Sequence, residues 1–363
     1  MKRVKIVGAG SIGNHLTHAA RQLGCSVDLC DLDQSALVRA KNMIYPERYG
    51  QWDDEIGLYS SADVPVGGYD LICIGTPPDS HLDLAIKALE EAPKALLIEK
   101  PICGPDLARA QELFELAAAG NTEVFTGYDH VIGKVAVKTR ELTESTLLGE
   151  IETIDVEFRE HWGGIFAAHS WLDGPAASYL GDWRRGGGAL GEHSHAVNLW
   201  QHFALVAGAG RVHEVSAIAD YIEGEGVFYD KVCALNLRTE TGLVGRVVQD
   251  VVTLPPRKWG RIQGSDGYLD WQFGYEPGRD KVGWSANGDT PQDFIAEKTR
   301  PDDFIAELEH IRDVLEGRIK ASPIALERGL ETMLVIAAAH KSAQTGRTIK
   351  IDYEQGYCSA ALQ

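Results

Sequence analysis

No apolar run in this 363-residue chain approaches the ~20 residues that a membrane-crossing helix needs. Cationic residues are also scarce: 35 Lys and Arg stand against 53 Asp and Glu, for a formal charge of −18. Nucleic acids and anionic membranes are held by basic patches, so neither is an expected partner. Six cysteines, at 25, 30, 73, 103, 233 and 358, form no CxxC pair and no spacing of metal-ligand type. Several fall in apolar strand-like runs, where a reduced cysteine acts as a small hydrophobe, and the expected compartment is the cytoplasm. The N-terminus enters such a run directly, with no signal-peptide pattern. Repeats and low-complexity tracts are missing too. What remains, 44% hydrophobic and 24% charged residues, is a globular composition with room for two domains.

The first 31 residues are the most informative. An apolar run, residues 2–7, feeds Gly8-Ala9-Gly10-Ser11-Ile12-Gly13, and residues 14–23 continue as a helix. Gly8 permits the tight turn, Gly10 lets a pyrophosphate approach the backbone, and Gly13 lets helix and strand pack closely. Phosphates would rest on the helix N-terminus, with Ser11 and Ile12 among the contacts, where free N–H groups and the macrodipole favour negative charge. A second strand, 25–30, delivers Asp31 18 residues past Gly13, placed to accept hydrogen bonds from both ribose hydroxyls. NADP carries a 2′-phosphate that Asp31 would repel. Leu32-Asp33-Gln34-Ser35 add a second carboxylate and no cation, so the expected cofactor is NAD.

Strand and helix patterns then alternate. Residues 69–74 and 95–98 are continuous apolar strands, 81–91 and 107–119 have helical spacing, and 123–128 is a further strand. Such βαβ units predict a parallel, doubly wound sheet. Residues 42–57, rich in aromatics and acids, read as a surface excursion and a candidate lid near the adenosine. Beyond about residue 126 long alternating strands take over (151–160, 212–222, 227–237, 242–253 and 257–263), predicting an antiparallel or mixed sheet. Apolar residues on both faces of 244–252 suggest that the sheet's outer face meets a partner subunit. Helices are expected at 304–315 and 324–342, a short strand at 348–351, and a flexible loop at 284–301. The division expected is a nucleotide-binding domain, 1–126, and a substrate and oligomerisation domain, 127–363, with the last helix packing back on the first domain.

Two constellations carry chemistry. Glu99-Lys100-Pro101 ends a strand on the side where doubly wound sheets bind ligands, and Lys100 can polarise a substrate oxygen. Pro101 is a candidate for a cis bond. The second is Trp183-Arg184-Arg185-Gly186-Gly187-Gly188-Ala189-Leu190-Gly191-Glu192-His193-Ser194-His195. Glu192 and His195 would share one face of a helix beginning here, and a carboxylate beside an imidazole suits a base that removes a hydroxyl proton. No third ligand is evident, so no metal is expected. His161, Trp162, His169, Trp171 and Trp183 could stack on a sugar or simply pack. Arg184 and Arg185 could hold an anionic substituent or a helix end.

Together Gly8-x-Gly10-x-x-Gly13, Glu99-Lys100-Pro101 and the triple-glycine, acid and histidine segment resemble the glucose–fructose oxidoreductase / inositol dehydrogenase (Gfo/Idh/MocA) family. Gly75-Thr76-Pro77-Pro78-Asp79-Ser80-His81 is similar to its loop beside the cofactor, Gly127-Tyr128-Asp129-His130 to the segment closing its first domain, and Ile262-Gln263-Gly264-Ser265-Asp266-Gly267 to a strand-turn of its second sheet. The resemblance implies an α/β fold: an N-terminal Rossmann doubly wound parallel sheet, then a C-terminal α/β domain with an open, mostly antiparallel sheet used for oligomerisation into a homodimer or homotetramer. It also implies NAD(P)-linked chemistry on a sugar or cyclitol, with Gly75, Thr76, Pro77, His81, Glu99 and Lys100 beside the cofactor. Tyr128, His130, Trp183, Arg184 and His193 are substrate-contact candidates beside Lys100 and His195. The family pairs the EKP lysine with an aspartate and a histidine four residues later. Here Glu192 takes the aspartate's place, Ala196 lies four residues on, and His195 comes one early. A one-residue deletion accounts for this, leaving His195 as base, Glu192 as partner and His193 as rival. Two other activities stay open: redox-assisted hydrolysis or elimination, and non-catalytic NAD sensing.

Overall fold

The computed structural model describes residues 1–167 and 171–363. The chain folds into two compact units, residues 1–103, 109–129 and 300–329 in the first, and 104–108, 130–299 and 330–363 in the second. In the first, β1 (Arg3–Val7), β2 (Ser26–Asp31), β3 (Gly57–Ser60), β4 (Leu71–Ile74), β5 (Ala95–Ile98) and β6 (Glu123–Thr126) form a parallel sheet in the order β3-β2-β1-β4-β5-β6. Every residue of β4 and β5 is buried, which is why these strands read as unbroken apolar runs rather than as alternation. The order reverses between β1 and β4, and at such a switch point helices leave on opposite faces and open a crevice. The loops that follow the strands continue the hydrogen bonding: Gly8 N–H donates to Cys30 O, Gly75 N–H to Val7 O, and Gly127 N–H to Ile98 O (2.8–2.9 Å). The singled-out motifs of this unit therefore share one edge.

Five helices belong to this part of the chain: α1 (Ser11–Gln22), α2 (Gln34–Arg39), α3 (Tyr45–Tyr49), α4 (His81–Leu89) and α5 (Ala110–Ala119). The first starts three residues earlier than expected, directly after Gly10. The last starts three residues later, because Leu107 and Arg109 take left-handed conformations (φ +58° and +61°) that no helix admits. The 42–57 excursion is not a loose loop. A π-helical turn, Ala40–Ile44, runs into α3, and the Tyr49 ring stacks on His18 of α1 at 3.7 Å while Tyr45 meets Trp52 at 5.1 Å. Its aromatics are used to dock the segment on α1.

The second unit is built on a nine-stranded sheet in the order β14-β13-β12-β11-β7-β10-β9-β8-β15. Its strands are β7 (Ile151–Arg159), β8 (Val212–Gly224), β9 (Val227–Thr239), β10 (Val244–Asp250), β11 (Arg257–Gly264), β12 (Gly267–Glu276), β13 (Arg279–Ala286), β14 (Gln292–Glu297) and β15 (Ile349–Lys350). All pairs are antiparallel except β7 with β10. Helices α6 (Lys134–Glu144), α7 (Trp162–Ala167), α8 (Gly188–Glu192) and α9 (His195–Val206) accompany it. From α9, Trp200 lies fully buried and donates its indole N–H to Ile154 O at 2.8 Å. β14 replaces the expected flexible loop. As an edge strand it pairs only with β13 and buries a single small side chain, Ala296, and its short apolar run, Phe294-Ile295-Ala296, lacks the alternation that marks a strand.

The outer face of this sheet is mixed rather than apolar. Ile218 is 81% exposed and Val244 is exposed too, but ion pairs Arg246–Asp155 (3.1 Å) and Arg261–Asp270 (3.2 Å) bridge neighbouring strands there. Two helices close the chain: α10 (Asp302–Leu315), which packs on α1 in the first unit, and α11 (Leu326–Thr345). No helix among the described residues is long and apolar enough to cross a membrane.

Candidate functional site

The glycine turn after β1 tests whether a dinucleotide fits. Gly8 has φ +105°, and a Cβ there would lie 2.9 Å from Gly75 O. A Cβ on Gly13 would sit 1.8 Å from Gly8 O, whereas one on Gly10 would meet nothing within 4 Å. Two glycines are therefore steric necessities of the turn, and the third opens the space that a pyrophosphate needs. Asn14 locks the turn by donating its amide N–H to Ala9 O and Gly10 O (3.1 and 2.8 Å). Asp31 ends β2 over the same turn: one carboxylate oxygen accepts the Ala9 N–H at 2.7 Å, the other that of Asp33 at 2.8 Å. Asp33 caps α2 through Ser35, whose hydroxyl and N–H hold its carboxyl below the usual range, so it stays anionic. The residues present fit NAD: the turn for the phosphates, Asp31 for the ribose.

His81, fully buried at the start of α4, faces Thr76 O with Nε2 (2.6 Å) and Pro101 O with Nδ1 (3.0 Å). Burial pushes its imidazolium down to about 4, against two carbonyls that favour the charged ring. It ties the Gly75-Thr76-Pro77 loop to the loop after Lys100. The Lys100–Pro101 peptide is cis. Glu99 is buried, with Oε2 3.3 Å from the Lys100 N–H and a wall at Gly127, where a Cβ would be 2.7 Å from that oxygen. Burial raises its carboxyl to about 8, Asp129 adding to the rise and Lys100 opposing it. Glu307 of α10, only 1% exposed, is raised well above the ordinary carboxylate range by burial, with Glu99, Asp129 and Asp303 contributing. Burial and the mutual repulsion of the two groups thus act in the same direction, each disfavouring the charged carboxylate. Sequence reading missed Glu307, because one acid in an amphipathic helix looks like solvent-facing charge. Tyr128, from the segment after β6, is fully buried in the same unit.

In the second unit the triple glycine turns the chain into α8. Gly188 has φ +73°, and a Cβ there would lie 2.0 Å from an Asp230 carboxylate oxygen. Asp230 is fully buried on β9 and accepts the Leu190 N–H at 2.8 Å, capping the start of α8. Burial raises its carboxyl to about 7, against hydrogen bonds from Leu190, its own N–H and Ala189. Gln249 of β10 donates to His193 O at 2.6 Å. Glu192 and His195 do not sit on one continuous helix as expected. Helix α8 closes at Glu192, His193 takes φ −96° and ψ 24°, and α9 begins at His195. His193 is 3% exposed, while His195 is half-buried, with its ring 4.0 Å from that of His130. His130 in turn contacts Phe273 at 4.9 Å and Phe158 at 5.6 Å.

Of the aromatic candidates, Trp183 and Trp162 pack, while His161 is exposed and its Nδ1 accepts the Gly163 N–H at 2.9 Å. Trp183 stacks on the buried His340 at 4.4 Å and meets Phe228 edge-on at 5.9 Å. Arg184 is exposed, pairs with Asp182 at 2.9 Å and lies 5.4 Å over the Phe228 ring. Trp162 joins the core with Ile165, Leu180, Ala189, Tyr229 and Val251. His169 lies outside the described residues.

Residues 2–128 match the model of the oxidoreductase family with an NAD-binding Rossmann fold, and residues 136–270 that of the GFO/IDH/MocA C-terminal domain. The uncharacterized oxidoreductase YhhX of Escherichia coli K12 is 36% identical over 88 residues, 24% of this chain and 25% of that protein, so the match spans a quarter of its length. Among solved structures, an oxidoreductase from Agrobacterium radiobacter in complex with NAD+, L-tartaric acid and magnesium is similar at TM-score 0.74 and 19% identity, covering 96% of this chain and 98% of that one. A levoglucosan dehydrogenase in complex with NADH and L-sorbose gives 0.76 and 16%, covering 97% and 99%. A putative myo-inositol dehydrogenase from Sinorhizobium meliloti 1021 gives 0.71 and 19%, covering 97% and 100%. At these identities the likeness is one of fold.

Proposed function

Because this chain belongs to the Gfo/Idh/MocA family of NAD-binding oxidoreductases, we propose that it is a dehydrogenase, or a reductase in reverse, of a sugar, sugar derivative or cyclitol. The observation that carries this reading is Lys100, delivered beside the glycine turn's edge of a sheet whose Asp31 lies over that turn. Asp31 would hold the ribose, the Gly8–Gly13 turn the phosphates, and the Gly75-Thr76-Pro77 loop the nicotinamide half. Bound NAD supplies the hydride acceptor. Lys100 polarises the substrate oxygen as hydroxyl becomes carbonyl, and His195 takes the hydroxyl proton at a ring nitrogen. Glu192, three residues before His195 across the break between α8 and α9, would keep the imidazole basic. His130, whose ring lies 4.0 Å from that of His195, would contact substrate, whereas Tyr128 is fully buried and would pack beneath the site. The test is a panel of sugars, glycosides, nucleotide sugars and cyclitols with NAD. One chemical class should yield NADH together with its ketone, whereas no NADH from any polyol would overturn the reading.

Cofactor choice follows from Asp31. NAD should bind at least about tenfold more tightly than NADP, a gap of about 1.4 kcal/mol. Asp31→Ala should narrow that gap by removing hydrogen bonds and repulsion together, and calorimetry reads both. Equal affinities in the wild type would mean that Asp31 is not the ribose acid.

The exposed Ile218 and Val244 support a second copy of the chain on the outer sheet face, alongside the interstrand ion pairs. Sedimentation at micromolar concentration should give a dimer or tetramer. A monomer would refute the covered face.

A further inference from the structure

The excursion between β2 and β3 delivers an arginine to the phosphate turn. From α3, Arg48 Nη1 donates to Ser11 O at 3.0 Å, and Nη2 to Ser11 Oγ at 2.9 Å. Nη1 also lies 3.1 Å from His15 Nε2. Arginine has only N–H groups to offer, so Nε2 must accept, which leaves the imidazole proton on Nδ1 to be donated to the Tyr49 hydroxyl. The Phe304 ring of α10 stacks on the same imidazole at 4.7 Å, and Tyr49 stacks on His18 one turn along α1. Arg48 is thus held by both ends: its guanidinium on the first residue of α1, its neighbouring ring on the helix flank. Ser11 follows Gly10, where the structure leaves space for a pyrophosphate.

A guanidinium in that place does two things. It fixes the rotamer of the Ser11 hydroxyl and the first turn of α1, and it adds a full positive charge to a helix end that already carries a partial one. The addition matters in this chain, because Asp31 and Asp33 bring two carboxylates to the same end of the sheet. We propose that Arg48 is a positioning residue for the pyrophosphate of the dinucleotide, acting through Ser11, and that the 42–57 excursion is the strap that holds it there. The proposal rests on the NAD-binding reading of the first unit and adds to it a residue outside the glycine motif. Any nucleotide with a pyrophosphate, ADP-ribose included, should depend on Arg48. Adenosine should not.

The experiment is calorimetry of the whole chain with NAD and ADP-ribose at two salt concentrations, with adenosine binding followed by ligand-observed NMR. Arg48→Met should weaken NAD and ADP-ribose alike by about 10–100-fold, the range expected for lost charge-assisted hydrogen bonds, and flatten the salt dependence. Adenosine binding should change less than about twofold, as expected of a ligand lacking the phosphates. Arg48→Lys, which keeps the charge but not the fork, should recover part of the affinity and most of the salt dependence. Undiminished NAD and ADP-ribose binding in Arg48→Met would overturn the proposal. So would equal loss of adenosine in both variants with a lowered melting temperature, which would make Arg48 a structural clasp. A wild-type chain that binds neither NAD nor ADP-ribose would instead refute the cofactor reading itself.

Discussion

Lys100→Ala and His195→Ala should each lower kcat by about 10²–10⁴-fold and leave the NAD dissociation constant nearly unchanged. The expectation comes from what each group can do only while the hydroxyl is becoming a carbonyl. Lys100 offers a donor to an oxygen whose charge is changing, and His195 offers a lone pair to the departing proton. Neither belongs to the glycine turn proposed for the phosphates, so binding of NAD alone should not draw on them. The structure also weighs the two histidines. His193 is buried with its carbonyl fixed by Gln249, while His195 is half-buried and opens α9 beside His130. A base must meet solvent or substrate, which favours His195. Glu192→Gln should cost less than His195→Ala and shift the pH dependence of the rate. A crippled His193→Ala with a mild His195→Ala would reverse the assignment. Indifference at both positions, on a substrate that is demonstrably oxidised, would make the segment structural.

The second large effect belongs to the glycine turn, where two substitutions of the same size should fail differently. Gly13→Ala forces a methyl to within 1.8 Å of Gly8 O, backbone against backbone, with no flexible side chain to yield. The strain should cost about 3 kcal/mol or more, lowering the melting temperature without ligand and removing measurable NAD affinity. Gly10→Ala puts its methyl where nothing lies within 4 Å, so the ligand-free protein should melt as the wild type does. The same methyl occupies the approach of the pyrophosphate, and NAD affinity should fall by about 10–100-fold, a loss of roughly 1.4–2.7 kcal/mol. Thermal melting with and without NAD separates the two. A Gly10→Ala protein that binds NAD normally would show that the phosphates do not lie on this turn.

The parts legible in the sequence are those whose chemistry is local. Glycines at a strand-to-helix turn, an acid at the next strand's end and a lysine at a third strand's end all declare themselves within a few residues. The parts that escaped depend on distant partners. Asp230 lies 40 residues from the Leu190 N–H that it caps, and Arg48 lies 37 from Ser11, so neither spacing suggests a contact. Glu307 reads as surface charge on α10 until the fold buries it in reach of Glu99. The break between α8 and α9 escaped for a different reason. No proline or turn signal marks a stop between residues 192 and 195, and the interruption falls where Gln249 of a distant strand holds the His193 carbonyl. The aromatic excursion looked like a lid because nothing in its own sequence shows the α1 flank that it covers.

The most direct measurement of the central claim follows the hydrogen itself. The polyol that the panel identifies is prepared with deuterium on the carbon to be oxidised and incubated with NAD, and NADH and product are examined by mass spectrometry. The account predicts one deuterium in NADH, none on the carbonyl carbon of the product, and NADH equal in amount to ketone. Deuterium returned to the product without net NADH would contradict it, and would make the bound NAD a transient oxidant for hydrolysis or elimination instead.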